Sequence, residues 1–256
     1  MNPEDDVLDQ LTALSHWLGD PDNDLAILGE GNSSGRYTDE TFFVKASGRH
    51  LGTITPNGFC EVNFARALAA LDGPDLTDEM VKSALKDCLA NPDSAVMPSV
   101  ETFFHAFFLS LPDVNFVGHT HPTAVNSILC SKGAREAVSG RLFPDEIVCC
   151  GPAVCFVEYT DPGIPLARMI KQRVIEFYNH YHEWPKTVLM QNHGLIAIGK
   201  TVRDVQTVTS MYVKTARVLL GTYAMGGPNF LTDENVQRIH TRPDEHYRQR
   251  QLEKGT

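Results

Sequence analysis

Short β-prone runs alternate with helical patterns along almost the whole chain. Apolar residues recur at helical spacing over residues 3–19, and capping residues start further helical patterns at Thr77, Ser99 and Thr201. A long helix is predicted from about Pro165 to His182. Because strands and helices intermix rather than segregate, the sequence favours an α/β fold in which helices cover a sheet.

The β-prone runs are short, and several lie close together in the sequence. LAIL precedes GEGNSSG, and TFFVK precedes ASG, so both Gly/Ser clusters are predicted to be hairpin turns. VNFVGHTH, EIVCC and AVCFVEYT are predicted as further strands, and TVLMQ-NHG-LIAIG reads as a strand, a tight break and a strand. Hairpin-linked neighbours indicate a mixed sheet rather than a purely parallel one.

A chain of 256 residues with 42% hydrophobic content can bury one large core. We therefore expect a single domain over residues 1–256. The tail from about residue 232 is predicted to be a helix with a charged end that is mobile or packs on a neighbouring subunit.

The net charge of -10 disfavours nucleic-acid and anionic-membrane partners, because no basic face is left to neutralise phosphates. No apolar run approaches the ~20 residues of a membrane span, and the MNPEDD start carries no apolar signal region. The six cysteines show no CxxC spacing and lie mostly in apolar stretches. Reduced cysteines in a cytoplasmic protein are the expectation.

His119 and His121 form a His-Thr-His motif at the end of a predicted strand. In extended backbone, residues i and i+2 project to the same face, with Cα atoms about 6–7 Å apart. Two imidazoles placed in this way can bind one ion, although two polar residues at a strand end are the alternative.

A second His-x-His motif in the same chain serves as an internal control. His180 and His182 lie in a predicted helix, where residues i and i+2 point about 200° apart around the axis. This pair cannot chelate one ion and is predicted to be a solvated helix end.

His193 lies between two β-prone runs, and Gly194 permits a backbone turn that a side chain would obstruct. Together with His119 and His121 it would supply a third nitrogen. Three protein ligands leave one coordination position open, which is typical of catalytic rather than structural metal sites.

Glu101 lies in the first turn predicted after the Ser99 cap, ahead of a very apolar helix. An acidic residue is favoured there by the helix dipole alone, so the residues leave its role open. His105, one turn further on the same face, would either orient Glu101 or simply pack. The two Gly/Ser turns and Ser99 offer N–H and hydroxyl groups that can bind a phosphate, although ordinary hairpin turns need the same residues.

In this order, the motifs resemble the class II aldolase/adducin family over roughly residues 7 to 225. The motifs are Gly31-Asn32-Ser33, Ser47-Gly48, Pro98-Ser99-Val100-Glu101, Gly118-His119-Thr120-His121-Pro122 and Asn192-His193-Gly194-Leu195. The family includes L-fuculose-phosphate and L-rhamnulose-phosphate aldolases, L-ribulose-phosphate 4-epimerase, methylthioribulose-phosphate dehydratase and the non-catalytic head domain of adducin.

The resemblance implies a three-layer α/β/α fold with a mixed, largely antiparallel sheet, and a homotetramer with active sites between subunits. It implies metal ligands at His119, His121 and His193, and a catalytic acid/base at Glu101. It implies phosphate contacts at Gly31, Asn32, Ser47, Gly48 and Ser99. Zinc is the expected cofactor, with manganese, cobalt or iron(II) as alternatives.

Three departures from the family patterns bear on the activity. Val100 replaces a serine of the fuculose-phosphate aldolase pattern, so one phosphate-binding hydroxyl is lost. The epimerase has aspartate at the position of Glu101, which argues for carbon–carbon cleavage or dehydration. The 121–193 segment is longer than in fuculose-phosphate aldolase, so its loop tyrosine cannot be aligned; Tyr223 and Tyr247 are the candidate proton donors.

The expected reaction is cleavage of a ketose 1-phosphate, or a related sugar acid, through an enediolate that the metal stabilises as a Lewis acid. Glu101 is expected to shuttle a proton, with a pKa raised by partial desolvation. Activity is expected to fall below about pH 6 as the imidazoles protonate. The alternatives are a sugar-phosphate dehydratase or epimerase on the same metal site, and a non-catalytic, adducin-like interaction module.

Overall fold

The computed structural model describes residues 3–244 of the chain, and within them seven strands form one sheet in the order β3-β2-β1-β4-β7-β6-β5. The strands are β1 Asn32–Arg36, β2 Thr41–Lys45, β3 Phe59–Asn63, β4 Phe116–Thr120, β5 Cys155–Val157, β6 Thr187–Met190 and β7 Gly194–Gly199. The helices are α1 Pro3–Leu18, α2 Phe64–Asp72, α3 Asp78–Asp87, α4 Thr102–Leu109, α5 Thr123–Leu129, α6 Ala134–Ala137, α7 Pro144–Cys150, α8 Ile164–Tyr181, α9 Val202–Tyr223 and α10 Asp233–His240. Short 3₁₀ turns occupy Pro21–Asn23, Leu51–Thr53 and Pro56–Gly58.

All pairings of neighbouring strands are antiparallel except β5 with β6, which is parallel. This confirms the predicted α/β class with a mixed, largely antiparallel sheet. The hairpins β1–β2 and β6–β7 connect strands that are adjacent in sequence, as the short β-prone runs indicated.

Each face of the sheet carries its own hydrophobic core, so the protein has three layers. Along β2, Phe42 and Val44 pack with α2, α4 and α8, whereas Phe43 packs on the opposite side with α1 and α9. Along β4, Val117 lies in the first core and Phe116 in the second. The same alternation places His119 on the α4 side of the sheet, because it is two residues from Val117.

Local signals locate most of the helices correctly. Thr77 caps α3 through the backbone N–H of Met80, and Thr201 and Asp204 form a reciprocal capping box at α9. The Ser99 prediction needs correction: α4 begins only at Thr102, with Glu101 as its N-cap, and the Ser99 hydroxyl accepts the Glu101 N–H in the preceding turn.

The strand prediction for EIVCC is wrong, because these residues belong to helix α7. Pro144 occupies the first helical turn with Asp145 and Glu146, a combination that favours a helix start. The carboxylate of Glu146 accepts hydrogen bonds from buried Arg141 and from the Leu142 N–H, which anchors this end of α7. Burial against α9 therefore outweighs the β-propensity of Ile147 and Val148.

The turn predicted over GEGNSSG is also wrong in part, because residues from Asn32 onward form the interior strand β1, and LAIL is not a strand. β1 pairs on both sides, with β2 and with β4. A β-carbon at Gly35 would lie 3.0 Å from the ring of Phe116, so the small residues of β1 allow close packing where a large side chain would not fit.

The tail contacts its own chain as far as it is described. Thr232 caps α10, Val236 is buried, and His240 lies 3.2 Å from Glu183. Residues 245–256 lie outside the described part, and the single-domain prediction stays a prediction. Among the described residues, no helix combines the length and apolar composition needed to cross a membrane.

Candidate active site

His119 and His121 lie at the carboxyl end of β4, in the middle of the sheet. His119 is fully buried, and its Nδ1 lies 3.0 Å from the carbonyl oxygen of Leu195 on β7. His121 follows the strand directly, and its backbone N–H donates to the carbonyl oxygen of Leu25. The two Nε2 atoms are 3.0 Å apart, so extended backbone brings the two rings together.

His193 reaches the same point from the turn between β6 and β7. Asn192 adopts a left-handed conformation with φ of 55°, and the His193 N–H donates to the carbonyl oxygen of Met190. Gly194 is required for a reason other than its φ: a β-carbon there would lie 2.5 Å from the Thr120 carbonyl oxygen and 2.7 Å from the His121 ring. The glycine therefore permits close approach of β7 to β4.

The three imidazole rings form a compact triangle. The ring centroids of His119 and His121 are 4.8 Å apart, and the His193 ring lies 5.0 Å and 5.1 Å from them. One ligand-capable nitrogen from each ring lies within 4.8 Å of the other two. Nitrogens bound to one zinc ion at roughly 2.0–2.1 Å have similar spacing, so this donor set fits a single divalent cation. The predicted histidines are thus adjacent, and their role as metal ligands stays a prediction.

Glu101 lies beside the triangle because α4 covers the face of the sheet to which His119 points. Its Oε1 lies 3.1 Å from His193 Nε2, and its Oε2 lies 3.6 Å from His119 Nε2. Phe104, one turn further along α4, packs edge-on against the His119 ring at 5.7 Å. The amino end of α4 therefore brings one carboxylate to the histidines.

The expectation of a raised pKa for Glu101 is wrong. Burial alone would raise the pKa of this carboxyl, but electrostatic interaction with the adjacent rings of His119 and His193, together with hydrogen bonds from His193 and Asn32, outweighs it. The pKa of Glu101 is therefore held below its usual range, which keeps the carboxylate ionised.

Asn32 joins Glu101 to a buried histidine. Its Nδ2 donates to Glu101 Oε2 at 2.6 Å, and its Oδ1 accepts a hydrogen bond from His105 Nε2. On the other side of the ring, His105 Nδ1 accepts from the Ser34 hydroxyl at 2.7 Å. Because the amide of Asn32 can donate only through nitrogen, this chain of bonds fixes the His105 proton on Nε2. His105 therefore contacts Glu101 through the Asn32 amide, and its role in orienting Glu101 stays a prediction.

Burial also determines the charge of the histidines. Burial lowers the pKa of His105 to about 3, so the ring is neutral at physiological pH. Burial lowers the pKa of His119 well below its ordinary range, with Glu101 opposing this effect. A neutral imidazole is the form that binds a metal.

The predicted phosphate contacts divide into two groups. Ser47 and Gly48 lie in an exposed loop after β2, held beside Ser99 by a bridge between Ala46 and Pro98. Gly48 has a φ of +75°, and space around it is open. The Ser47 N–H already donates to the Met97 carbonyl oxygen, so the exposed hydroxyl is the group of this residue that could contact a ligand.

The other two predicted phosphate contacts are at the start of β1 and are buried. Gly31 adopts a φ of +66°, and a β-carbon there would lie 2.5 Å from the His119 carbonyl oxygen. Asn32 is only 3% exposed, and its amide is engaged by Glu101 and His105. In this structure Asn32 therefore orients Glu101 rather than facing an open phosphate site.

Lys45 is a candidate functional residue that the sequence reasoning missed. It is 3% exposed, and its Nζ donates to the carbonyl oxygens of Arg49 at 2.6 Å and Gly29 at 3.4 Å. Among residues 3–244 it forms no ion pair, and burial lowers its pKa while the charge of Glu101 opposes that shift. A lysine closing the apolar run TFFVK, directly before the ASG loop, was the available signal.

Of the two tyrosines predicted as proton donors, Tyr223 is exposed at the end of α9, and Tyr247 lies outside the described residues. The control pair behaves as predicted: His180 and His182 lie exposed at the end of α8.

A family profile and a curated relative each match most of this chain. The profile of the family described as "Class II Aldolase and Adducin N-terminal domain" matches residues 9–220. The "Uncharacterized oxidoreductase YuxG" of Bacillus subtilis is 30% identical over 202 residues, which cover 76% of this chain. The match spans only 27% of that relative, so most of its length has no counterpart here.

Solved structures share the fold. The N-terminal class II aldolase domain of a conserved protein from Thermoplasma acidophilum superposes with a TM-score of 0.65 at 29% identity, covering 83% of this chain and 93% of that domain. L-fuculose-1-phosphate aldolase from Thermus thermophilus superposes with a TM-score of 0.59 at 17% identity, covering 88% of this chain and 98% of that enzyme.

Proposed function

Because the chain belongs to the class II aldolase and adducin family, we propose that it is a divalent-metal-dependent aldehyde-lyase. It would cleave a ketose 1-phosphate to dihydroxyacetone phosphate and an aldehyde, or split a related sugar acid at the corresponding carbon–carbon bond to a keto acid and an aldehyde. The observation that carries the proposal is the convergence of three imidazole rings and one ionised carboxylate at the end of β4.

His119, His121 and His193 would hold zinc, or manganese, cobalt or iron(II) in its place. A cation bound there supplies Lewis-acid stabilisation of the negative charge that develops on the substrate carbonyl and the adjacent hydroxyl oxygen. Three protein ligands leave room for those oxygens.

Glu101 would move the proton at the carbon that becomes the hydroxymethyl carbon of dihydroxyacetone phosphate. A general base must be ionised and within reach of the reacting carbon, and the lowered pKa of Glu101 meets the first requirement. The Asn32 amide holds Oε2 at 2.6 Å, so Glu101 cannot rotate freely away from the histidines. A fixed carboxylate loses little entropy as it approaches the transition state.

An anionic substrate is supported by Lys45 and the loops beside it. A buried ammonium without a carboxylate partner is costly, and such groups are retained where a charged ligand binds. The Nζ atom of Lys45 links the segment at Gly29 to the loop at Arg49, which adjoins Gly48. The Ser47–Gly48 loop and Ser99 would then contact the phosphate.

Exposed apolar side chains near the site support a homotetramer with active sites between subunits. Ile27 and Leu28 are 64% and 77% exposed, and both belong to the segment that carries Leu25, the backbone partner of His121. Val100 adjoins Glu101 and is 44% exposed. A neighbouring subunit would cover these residues and supply the proton donor for the leaving aldehyde, with Tyr223 and Tyr247 as candidates.

Proton exchange into dihydroxyacetone phosphate tests the proposal without knowledge of the aldehyde. In D₂O, the zinc-loaded protein should replace one hydroxymethyl hydrogen with deuterium, as followed by proton NMR. A chelator should abolish the exchange, and zinc, manganese or cobalt should restore it. The Glu101→Gln variant should retain bound zinc but lose exchange.

The outcomes separate the alternatives. Exchange in chelated, metal-free protein would rule the scheme out. Exchange with dihydroxyacetone but not with its phosphate ester would remove the phosphate from the proposal. Assays with ketose phosphates would reveal a dehydratase by water loss without a free aldehyde, and an epimerase by a new diastereomer. A protein that binds none of these divalent metals and shows no exchange would favour the adducin-like interaction module.

A further inference from the structure

The rings of His119 and His121 face each other through their Nε2 atoms. The group that contacts Nδ1 of each ring determines which of its two nitrogens carries the proton. The Nδ1 atom of His119 lies 3.0 Å from the Leu195 carbonyl oxygen, which can only accept. Nδ1 therefore carries the proton, and Nε2 of His119 retains its lone pair. That lone pair points towards His121 Nε2 at 3.0 Å.

A carboxylate lies on the outer side of His121. Oε1 of Glu30 is 3.7 Å from His121 Nδ1, an ion-pair distance. Because a carboxylate only accepts, it favours the His121 proton on Nδ1 and leaves a lone pair on Nε2. Two ring lone pairs then face each other at 3.0 Å, an arrangement that repels unless a cation lies between them.

The backbone holds Glu30 in this position. Its N–H donates to the Ile27 carbonyl oxygen at 3.0 Å, and the Ile27 N–H donates back to Glu30 Oε2 at 3.1 Å. One carboxylate oxygen is thus tied to its own turn, and the other faces His121. Leu28, inside this turn, has a φ of 52°, a conformation that a non-glycine residue adopts only at some cost.

Gly31, which follows Glu30, brings the turn of residues 27–30 against strand β4, which carries His119. A β-carbon at Gly31 would lie 2.5 Å from the His119 carbonyl oxygen, so only glycine permits the approach. Glu30 directly precedes Gly31. Its position beside His121 is therefore set by the hydrogen-bonded turn with Ile27 and by the close approach of Gly31 to β4, rather than by a freely rotating side chain.

The simpler interpretation of the contact between Glu30 and His121 is a surface ion pair that only stabilises the fold. The Glu30 side chain is 38% exposed, and ion pairs at such exposure contribute little to stability. A carboxylate behind a metal-binding imidazole has a different effect: it fixes the tautomer and the ring orientation and makes the ligand nitrogen more basic. Among residues 3–244, Glu30 is the one carboxylate within ion-pair distance of His121.

We propose that Glu30 is a positioning residue of the metal centre, which holds His121 with its proton on Nδ1 so that Nε2 is the ligand atom. The inference rests on the proposed function, because it requires a cation between the histidines. Glu30 itself touches neither substrate nor metal in this arrangement.

Zinc affinity tests the inference independently of catalysis. Glu30→Gln retains an oxygen that accepts the Ile27 N–H but loses the charge that faces His121. Competition with a chromophoric chelator should show zinc binding about 10-fold weaker than in the wild type. Glu30→Asp keeps the charge on a shorter stem, and its dissociation constant should lie between the two. Thermal unfolding of the metal-free proteins should coincide, which shows that the fold is intact.

Glu40→Gln is the matched control. It removes the same charge from an exposed position at the other end of β1, roughly 15 Å away along the strand. Its zinc affinity should equal that of the wild type. Equal affinities of the Glu30→Gln and wild-type proteins, or an equal loss in Glu40→Gln, would overturn the inference while the proposed function stands. If the wild type binds none of zinc, manganese, cobalt and iron(II), the proposed function is refuted and the inference with it.

Discussion

The neutral, buried ring of His105 should make the metal-free protein sensitive to mild acid. Burial lowers the pKa of His105 to about 3 in the folded protein, against about 6.5 in an unfolded chain. Between these values the unfolded state binds more protons than the folded state, so the free energy of unfolding falls as the pH decreases through 6.5. From pH 7 to pH 5 the protonated fraction of this histidine in the unfolded chain rises from about one quarter to almost one, which lowers the stability by about 2 kcal/mol.

The contribution of His105 can be isolated with His105→Gln, since His119 and other groups add their own pH dependence. Glutamine does not titrate, so the variant should lose about 2 kcal/mol less than the wild type between pH 7 and pH 5. At pH 7 the variant should already be less stable by about 1–3 kcal/mol, because buried hydrogen bonds to Asn32 and Ser34 are disturbed. Urea unfolding followed by tryptophan fluorescence, at both pH values and without metal, measures the difference.

His180→Gln is the matched control, because it removes an exposed histidine from the end of α8. Its loss of stability between pH 7 and pH 5 should match that of the wild type. If His105→Gln loses as much free energy as the wild type over this interval, the ring is protonated when folded. The tautomer assignment and the chain of hydrogen bonds to Glu101 would then be wrong.

Three further substitutions test other parts of the structure. Gly31→Ala should lower the free energy of unfolding by more than about 1 kcal/mol and weaken zinc binding, because its β-carbon would displace the His119 carbonyl; Gly29→Ala, which meets open space, should change neither in thermal and chelator titrations. Lys45→Met should raise the KM for a phosphorylated ketose, because it removes a buried ammonium that forms no ion pair among residues 3–244; an unchanged KM would contradict the assignment whatever the stability, since the hydrogen bonds to Arg49 and Gly29 are lost as well. Thr201→Ala should cost about 1 kcal/mol in urea unfolding through loss of the α9 capping box, and an unchanged midpoint would show that the cap is unimportant.

Features that depend on local chemistry were predictable from the residues. The caps at Thr77 and Thr201 act within one helical turn, so they are visible in the sequence. His-Thr-His in extended backbone places both rings on one face wherever the strand lies in the sheet. The same local geometry correctly separates this pair from the histidines at 180 and 182.

The partners of these residues were decided by packing between distant segments. The sheet order places β1 and β7 on either side of β4, and only this arrangement brings Asn32 and His193 to His119. Burial by surrounding elements likewise turns EIVCC into a helix and encloses the Lys45 side chain.

The sequence alone therefore determined the α/β class, the helix caps at Thr77 and Thr201, and the three histidines that a metal site would use. The tertiary structure decided that Glu101 carries a lowered pKa, that Asn32 orients it, and that Glu30 faces His121. The reason is physical: periodicity and capping involve neighbours within a few residues, whereas pKa shifts and hydrogen-bond partners depend on the charges and burial that other segments supply.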